Sequence, residues 1–247
     1  MTLRLYTHNI YARRAGWESR RTLLRDGIAR FEPDVVLFQE EELHDDYDQS
    51  ADILGEAFEV VHSRGRSALE RSGISIASRW PIASVRELDL TVDGPPVDEY
   101  VWTTLIATIN SPDGPVVVAN HFPDATLDRE SERLRQARLL DDQLGGSPVI
   151  LAGDFDAEPD SASLRYLTGD AGYPRAWDAV HYCKPCVTLD PANPLHAEQL
   201  PDWPFTQIDH VLVRGEVTVV ACERVHDSPR DGVWASDHYG LVADLEF

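Results

Sequence analysis

Two carboxylates at the end of a short apolar run, Asp154 and Asp156 in Pro148-Val-Ile-Leu-Ala-Gly-Asp-Phe-Asp-Ala157, are where the chain first offers chemistry. Val149 to Ala152 reads as a buried strand bounded by Pro148 and Gly153. Residues two apart on a strand point the same way, so both acids face one point if the extended backbone persists. Paired carboxylates suit a hard cation such as Mg²⁺, which takes oxygen ligands and keeps several waters for chemistry. An acid after glycine is also ordinary turn chemistry, so the pair alone leaves both readings open. Other stretches repeat the pattern. Leu3 to Leu5 leads to His8-Asn9, Val35 to Phe38 ends in Gln39-Glu40, and Val116 to Ala119 ends in Asn120-His121. Near the C-terminus the order reverses: Asp209-His210 opens the run Val211 to Val213, and Asp237-His238 precedes Leu241 to Phe247. If the last two strands run antiparallel to the first four, six polar constellations converge on one rim. That convergence of acids and histidines is what a metal-assisted hydrolytic site needs.

The intervening segments must supply the frame. Trp17 to Phe31 has helical spacing, with Leu24, Ile28 and Phe31 on one stripe, and Pro33 ends it. Strand, helix and strand in succession suggest an α/β layer. Arg13 and Arg14, just after Asn9, read as a solvated loop that also lies where a substrate phosphate would sit. Glu40-Glu41-Glu42 reads as a solvated acidic face, of which only Glu40 follows the strand directly and is placed on a metal. His44, Asp45, Asp46 and Asp48 read as exposed loop. Phe58 to Val61 is a strand, followed by a loop with Arg64, Arg66 and Arg71 that either clamps a phosphate or balances the local acids. Ile74 to Ala77 is another strand, stopped by Trp80-Pro81. Val85 to Leu90 and Val101 to Ile109 flank a Pro95-Pro96 loop, and Ser111-Pro-Asp-Gly114 signals a hairpin into the strand ending at His121. Asp128 to Leu144 reads as a helix with Leu134, Ala137, Leu140 and Leu144 facing the core, stopped by Gly145-Gly146. Residues 157–207 read as loop-rich. There Cys183 and Cys186 form a C-x-x-C that would need His181 and Cys222 to complete a structural zinc site; free thiols or a labile disulfide are the simpler expectation. Trp203-Pro204-Phe205 offers an apolar pocket wall or ordinary core aromatics.

The 247 residues suffice for one domain spanning 1–247, with no linker, low-complexity tract or repeat. No apolar run is long enough to span a bilayer. No secretory leader precedes the first strand, and three cysteines suit a reducing compartment, so a cytoplasmic location is expected. The formal charge of −21, from 22 basic and 43 acidic residues, gives no global attraction for nucleic acid.

Taken in order, seven stretches resemble the DNase-like endonuclease/exonuclease/phosphatase superfamily. They are Thr7-His-Asn-Ile10, Phe38-Gln-Glu40, Gly73-Ile-Ser-Ile-Ala-Ser-Arg-Trp-Pro-Ile82, Ala119-Asn-His-Phe122, Gly153-Asp-Phe-Asp156, Ile208-Asp-His-Val-Leu-Val213 and Ser236-Asp-His-Tyr-Gly-Leu241. The helix carrying Arg133 and Gln136 also resembles the one that usually precedes the Gly-Asp-Phe stretch. The resemblance implies an α+β fold: a four-layer α/β/β/α sandwich of two mainly antiparallel sheets flanked by helices, with the site on one rim. It also implies that Glu40 is the principal Mg²⁺ ligand with Asn9 beside it, and that His121 contacts phosphate and acts as general acid. By the same likeness Asp154 orients or deprotonates the attacking water, Asp237 is a supporting or metal-binding acid, His238 activates water or stabilises the transition state, and Asp209 orients His238. One position departs: the family usually has Asn where this chain has Asp156. A carboxylate about 4 Å from a phosphate oxygen would cost roughly 4 kcal/mol at an effective dielectric of about 20. Asp156 must therefore be protonated, turned away, or bound to an additional cation.

The reading that follows is a Mg²⁺-dependent phosphoesterase (Mn²⁺ serving as an alternative) that hydrolyses a P–O bond by direct water attack. Catalysis falls to His121, Asp154, Asp209 and His238, and the metal to Asn9, Glu40, Asp154, Asp156 and Asp237. A small phosphorylated substrate is expected on Arg13, Arg14, Arg64, Arg66, His121 and Asp156. The segment Thr188 to Asp209 is loosely similar to sphingomyelinase-type members, without a membrane-inserting hairpin. The competitors are a nuclease, which would require a basic stripe along the rim, and an interaction module retaining the fold, which would have no need of a general acid. A metallophosphatase with paired Gly-Asn-His and Gly-His-x-His signatures is excluded, since neither signature occurs.

Overall fold

In chain order the elements are β1 (Thr2–Asn9), α1 (Trp17–Phe31), β2 (Val35–His44), β3 (Tyr47–Asp48), α2 (Gln49–Leu54), β4 (Glu59–His62), β5 (Ser72–Ser78), β6 (Ile82–Asp89), β7 (Thr103–Ser111) and β8 (Gly114–Phe122). Then follow α3 (Glu130–Gln143), β9 (Val149–Asp154), α4 (Ala162–Arg165), α5 (Ala176–His181), α6 (Pro194–Gln199), β10 (Asp209–Arg214), β11 (Thr218–Val225) and β12 (Gly240–Glu246). The structure, a computed structural model, describes residues 2–68, 70–91, 101–145, 148–182, 184–199 and 201–247. The Pro95-Pro96 loop, Gly146 and Cys183 lie outside the described residues. No helix among the described residues is long and apolar enough to cross a membrane.

The strands form two sheets, ordered β11-β12-β1-β2-β5-β4 with β3 attached to β2, and β10-β9-β8-β7-β6. Only β1/β2 and β8/β9 pair in parallel. The strand period explains the layering. Leu3, Leu5, Leu37 and Ile76 of one sheet, and Ala107, Val118, Ile150 and Val211 of the other, share the central core. The alternate residues Tyr6, Val36, Phe38 and Val242 face outward under Leu24 and Ile28 of α1. Ala119, Leu151 and Leu212 lie likewise under Ala137 and Leu140 of α3. Each fully buried aliphatic side chain contributes about 1.5–3 kcal/mol, so these two faces fix the register of each strand. The result is the expected α/β/β/α sandwich of mainly antiparallel sheets.

The strands that carry polar ends run as expected: β12 is antiparallel to β1, and β10 to β9. At the rim the sheets are tied by amides. Gln39 Nε2 donates to Asn120 Oδ1 at 2.7 Å and to Thr7 Oγ1 at 3.1 Å. Asn120 Nδ2 donates to the carbonyls of Phe38 and Ser75. Gly153 has φ 141°, and a Cβ there would lie 2.3 Å from the His121 carbonyl, so β8 and β9 meet this closely only because the position is glycine.

Several local expectations are corrected. β2 does not stop at Glu40 but runs to His44 through a bulge between Gln39 and Glu41, with Glu40 at φ 53°. Glu41 and Glu42 are buried rather than solvated. Glu41 is held by Arg66 and by His62 Nδ1 at 3.1 Å. Glu42 is held by Arg13 Nε at 2.7 Å and by His44. Their partners lie far off in sequence, which is why a run of acids looked like a surface. His44 belongs to a hairpin rather than a loop, and Asp48 caps α2 by accepting from the Ala51 amide at 2.9 Å. On α3 the buried face carries Arg133 and Gln136 beside Ala137 and Leu140, while Leu134 is only half-buried. Strand β11 and the short helices α4 to α6 were not foreseen.

His62 lies between Glu41 and Asp48, 3.0 Å from the latter. Burial opposes its charge, but hydrogen bonds from Asp48 and Glu41 prevail and raise its pKa from 6.5 to about 9. A pKa raised by folding stabilises fully below the unfolded value and is lost as pH rises through the folded one. We therefore expect about 3 kcal/mol of stability to disappear between pH 6.5 and 9. Denaturant midpoints across that window should fall for the wild type and stay much flatter for His62→Gln. Parallel curves would refute this assignment.

Candidate active site

Every element end singled out above reaches one cleft or stands directly behind it. Asn9 at the end of β1 donates from Nδ2 to Glu40 Oε1 at 3.1 Å and to Asp154 Oδ2 at 3.0 Å, and so spans both sheets. The bulge turns Glu40 out of the strand alternation, the usual effect of a bulge beside a functional site. Its Oε2 meets Arg14 Nη1 at 3.2 Å, and the same guanidinium grips Glu70. His238 Nδ1 lies 3.0 Å from Asp209 Oδ2, and its Nε2 lies 3.9 Å from Asp154 Oδ2. Asp156 reaches the cleft by a different route from the one expected. The strand ends at Asp154, and Asp156 sits at φ 48° with its amide donating to Asp154 Oδ1 at 3.2 Å. A turn, not the strand period, delivers the second acid.

The loop before β12 is fixed by residues to which the sequence reading gave no role. Ser236 Oγ donates to the Asn9 carbonyl at 2.6 Å and lies 3.1 Å from Asp237 Oδ1. Asn193 Nδ2 donates to the Ser236 carbonyl at 2.8 Å. Thr104 Oγ1 lies 2.7 Å from His121 Nδ1. Ser236 stands in a family-like stretch beside Asp237, whereas Asn193 and Thr104 lie far in sequence from the residues they hold.

Burial, followed by repulsion from Asp156 and Asp209, pushes the Asp154 carboxyl well above the usual range. Burial also raises Glu40, against the pull of Arg14, and raises Asp156 to about 7 against the pull of Arg133 and His238. Burial disfavours charge on His238, yet Asp209, Asp154 and Asp237 outweigh it and keep the imidazole protonated far above its ordinary range. His121 is the opposite case: burial without a facing acid lowers it to about 3, so it is neutral. Its Nδ1 is within hydrogen-bond distance of Thr104 Oγ1, and which of the two donates depends on the tautomer.

The donors are hard oxygens, crowded, buried and reluctant to ionise together, and Asp156 Oδ2 has no hydrogen-bond partner. That chemistry fits a divalent cation, whose charge reverses the local cost of ionising each acid. Asp154, Asp209 and His238 also place ligand atoms within 4.8 Å of one another. The 3.0 Å separation of His238 and Asp209 is a hydrogen bond rather than a shared-ion geometry. A second grouping, Glu41, Asp48 and His62, is already charge-compensated by Arg66 and the imidazolium.

The arginines divide. Arg14 borders the site through Glu40. Arg13 is committed to Glu42 and stacks 4.5 Å over Tyr47. Arg66 is buried on Glu41, so neither of these two is free to clamp a phosphate as the sequence suggested. Arg64 is 90% exposed on its side chain and only loosely near Glu87. The cleft, about 180 Å³, is lined by Glu40, Asp154, Asp156, Asp237 and His238 together with Phe122, Ala125, Leu189, Trp203 and Ile208. The zinc reading finds no support among the described residues: Cys186 and Cys222 are buried free thiols in the central core, and His181 Nε2 is 2.6 Å from the Cys222 carbonyl.

Comparison with known proteins identifies the family and the fold. The sequence profile of the Endonuclease/Exonuclease/phosphatase family matches residues 6–238. No curated protein matches the sequence. A D. rerio TDP2 structure with a single-strand DNA product superposes with TM-score 0.80 at 18% identity, covering 100% of this chain and 99% of that one. An endonuclease/exonuclease/phosphatase from Bacteroides vulgatus gives 0.77 at 20%, covering 100% and 99%. A mannosyl-6-phosphatase from Bacteroides thetaiotaomicron gives 0.75 at 18%, covering 99% and 100%. At these identities the superpositions speak for the fold.

Proposed function

The chain belongs to the endonuclease/exonuclease/phosphatase family, and from that premise we propose that it is a Mg²⁺-dependent phosphoesterase acting on a small phosphorylated molecule. The observation that carries this is the continuous contact from Glu40 through Asn9 and Asp154 to His238 and Asp209, drawn from both sheets. Glu40 and Asp154 would hold the cation, with Asp156 and Asp237 at its border; Asn9, expected as a ligand, turns its amide N–H₂ to both acids and its Oδ1 to the Tyr11 amide, and so positions them. Bound there, the ion neutralises charge on the phosphate oxygens.

The chain's own groups handle the attacking water and the phosphoryl charge, and the leaving oxygen takes its proton from solvent. Asp154 lies between Asn9 and His238 and takes up the proton of the attacking water. Protonated His238, aimed by Asp209 on Nδ1, stabilises the charge on the transferring phosphoryl group. Neutral His121, where Thr104 donates to its Nδ1, presents Nε2–H to a phosphate oxygen as a hydrogen-bond donor, and this suits it better than the general-acid role expected for it. The charge of −21 and the internal pairing of Arg13 and Arg66 favour a compact substrate over nucleic acid.

A panel of chromogenic mono- and diesters, sugar phosphates, nucleotides and DNA, assayed with Mg²⁺ or Mn²⁺, tests the proposal. Hydrolysis should be abolished by chelator and lowered at least about 100-fold in Glu40→Gln. Asp156→Asn should change the Mg²⁺/Mn²⁺ preference while leaving the fold intact. Chelator-insensitive turnover would sink the metal reading, and faster cleavage of DNA than of small esters would sink the substrate preference.

A further inference from the structure

We infer that Thr188 is a positioning residue, whose hydroxyl fixes the approach of Asp209 to His238. The inference rests on the phosphoesterase reading for its rates, and it names what keeps the imidazole and its acid in register. Asp209 opens β10 and His238 lies just before β12, so their 3.0 Å contact joins the starts of strands in different sheets. Among the described residues no ladder joins those two strands: β10 pairs with β9, and β12 with β1 and β11. The distance is therefore set from outside both sheets.

Residues 188–193 cross from one strand start to the other. Thr188 is 0% exposed, and its Oγ1 accepts two consecutive amides, those of Ile208 and Asp209, each at 3.2 Å. Its own amide donates to the Thr206 carbonyl at 2.7 Å, and its carbonyl accepts from the Tyr239 amide at 2.8 Å. The next residue, Leu189, forms an antiparallel bridge with His238. Asn193 then donates from Nδ2 to the carbonyls of Ser236 and Asp237, at 2.8 and 3.3 Å. One residue thus grips the backbone of the acid with its side chain and the backbone beside the imidazole with its carbonyl. Any residue could make the main-chain bonds, so the hydroxyl is what threonine itself supplies. Its two lone pairs match two neighbouring N–H groups, and they hold the peptide from which the Asp209 carboxylate reaches Nδ1. A histidine works in one orientation only when a third group is itself held still. The described lining of the cleft includes Leu189 and Ile208 but not Thr188, so a change at Thr188 should act on turnover rather than on affinity.

The test sets Thr188→Val, which keeps the shape and deletes the oxygen, beside Thr188→Ser, which keeps the oxygen and deletes the methyl. On the best ester of the panel, Thr188→Val should lower kcat by about 10- to 30-fold with KM unchanged within about twofold. Thr188→Ser should stay within about threefold of the wild type. Because Thr188 acts through Asp209, the same valine should change kcat by less than about twofold once Asp209→Asn is in place. A second reading needs no substrate: the low-field NMR signal of the His238 Nδ1 proton, identified by its absence in His238→Ala, should persist in Thr188→Ser and be lost in Thr188→Val. Full additivity with Asp209→Asn, a Thr188→Ser rate as low as that of Thr188→Val, or an unchanged low-field signal in Thr188→Val would each overturn the inference. Should Thr188→Val not fold, Thr188→Ala decides in its place with the same expectations. Were the ester hydrolysed no faster by the wild type than by Glu40→Gln, the phosphoesterase reading itself would fall, and the NMR comparison would still decide whether Thr188 fixes the pair.

Discussion

Replacing His238 by alanine is expected to lower kcat/KM by about 10³-fold, and Asp209→Asn by about 10²-fold. His238 is the one group near the cleft that faces three acids, Asp209, Asp154 and Asp237, and keeps its proton because of them. Alanine removes a fixed positive charge from the place where phosphoryl charge spreads. Asp209→Asn leaves the imidazole in place but replaces the acid on Nδ1, at 3.0 Å, with a neutral amide that can present the wrong edge. His238 faces Asp154, so removing the imidazolium should strengthen Mn²⁺ binding, read by electron paramagnetic resonance, while turnover falls. Steady-state rates on a chromogenic ester decide the matter: His238→Ala activity within about threefold of wild type would remove His238 from the chemistry.

Arg20→Met is expected to destabilise the protein by about 3–5 kcal/mol. Arg20 is 1% exposed, and it holds the segment after Asn9 by its carbonyls. Nε donates to Ala15 at 2.9 Å, Nη1 to Ile10 at 2.9 Å, and Nη2 to Tyr11, Ala12 and Arg14 at 3.1, 2.7 and 2.9 Å. Nη1 also donates to the Ala235 carbonyl at 3.1 Å, just before Ser236-Asp237-His238. One guanidinium therefore ties the loop after β1 to the loop before β12. Tyr11 and Ala12 have positive φ, 58° and 42°, a strained path that this network sustains. Burial lowers the Arg20 pKa to about 10, so the group remains charged at neutral pH and methionine would leave six carbonyls without their donor. A urea midpoint corresponding to less than about 1 kcal/mol of loss would show that the loop holds itself. Where the variant folds, weaker Mn²⁺ binding should accompany the loss, because Asn9 and Asp237 would no longer be fixed relative to each other.

The sequence alone determined the frame and which polar side chains stand at the strand ends. A strand's side-chain period is local, so apolar runs such as Leu3 to Leu5 and Val149 to Ala152 announce which faces are buried. A polar pair at the end of each run marks where burial stops. Asn9, Glu40, Asp154, Asp209 and His238 were legible for that reason, and the structure brings them into contact. What tertiary structure decided was the pairing of groups distant in sequence. Arg20 sits in Ser19-Arg20-Arg21 like any solvated helix residue, and only the loop folded over it makes it the most heavily bonded side chain of the site's support. Glu40, Glu41 and Glu42 are identical in type, yet a single bulge sends Glu40 to the cleft, while Arg66 and Arg13 draw the other two into buried pairs. Asp156 arrives by a left-handed turn that no strand period implies. Charge is long-ranged and has no sequence period, so its partners are set by the chain's path in space and not by neighbours along it.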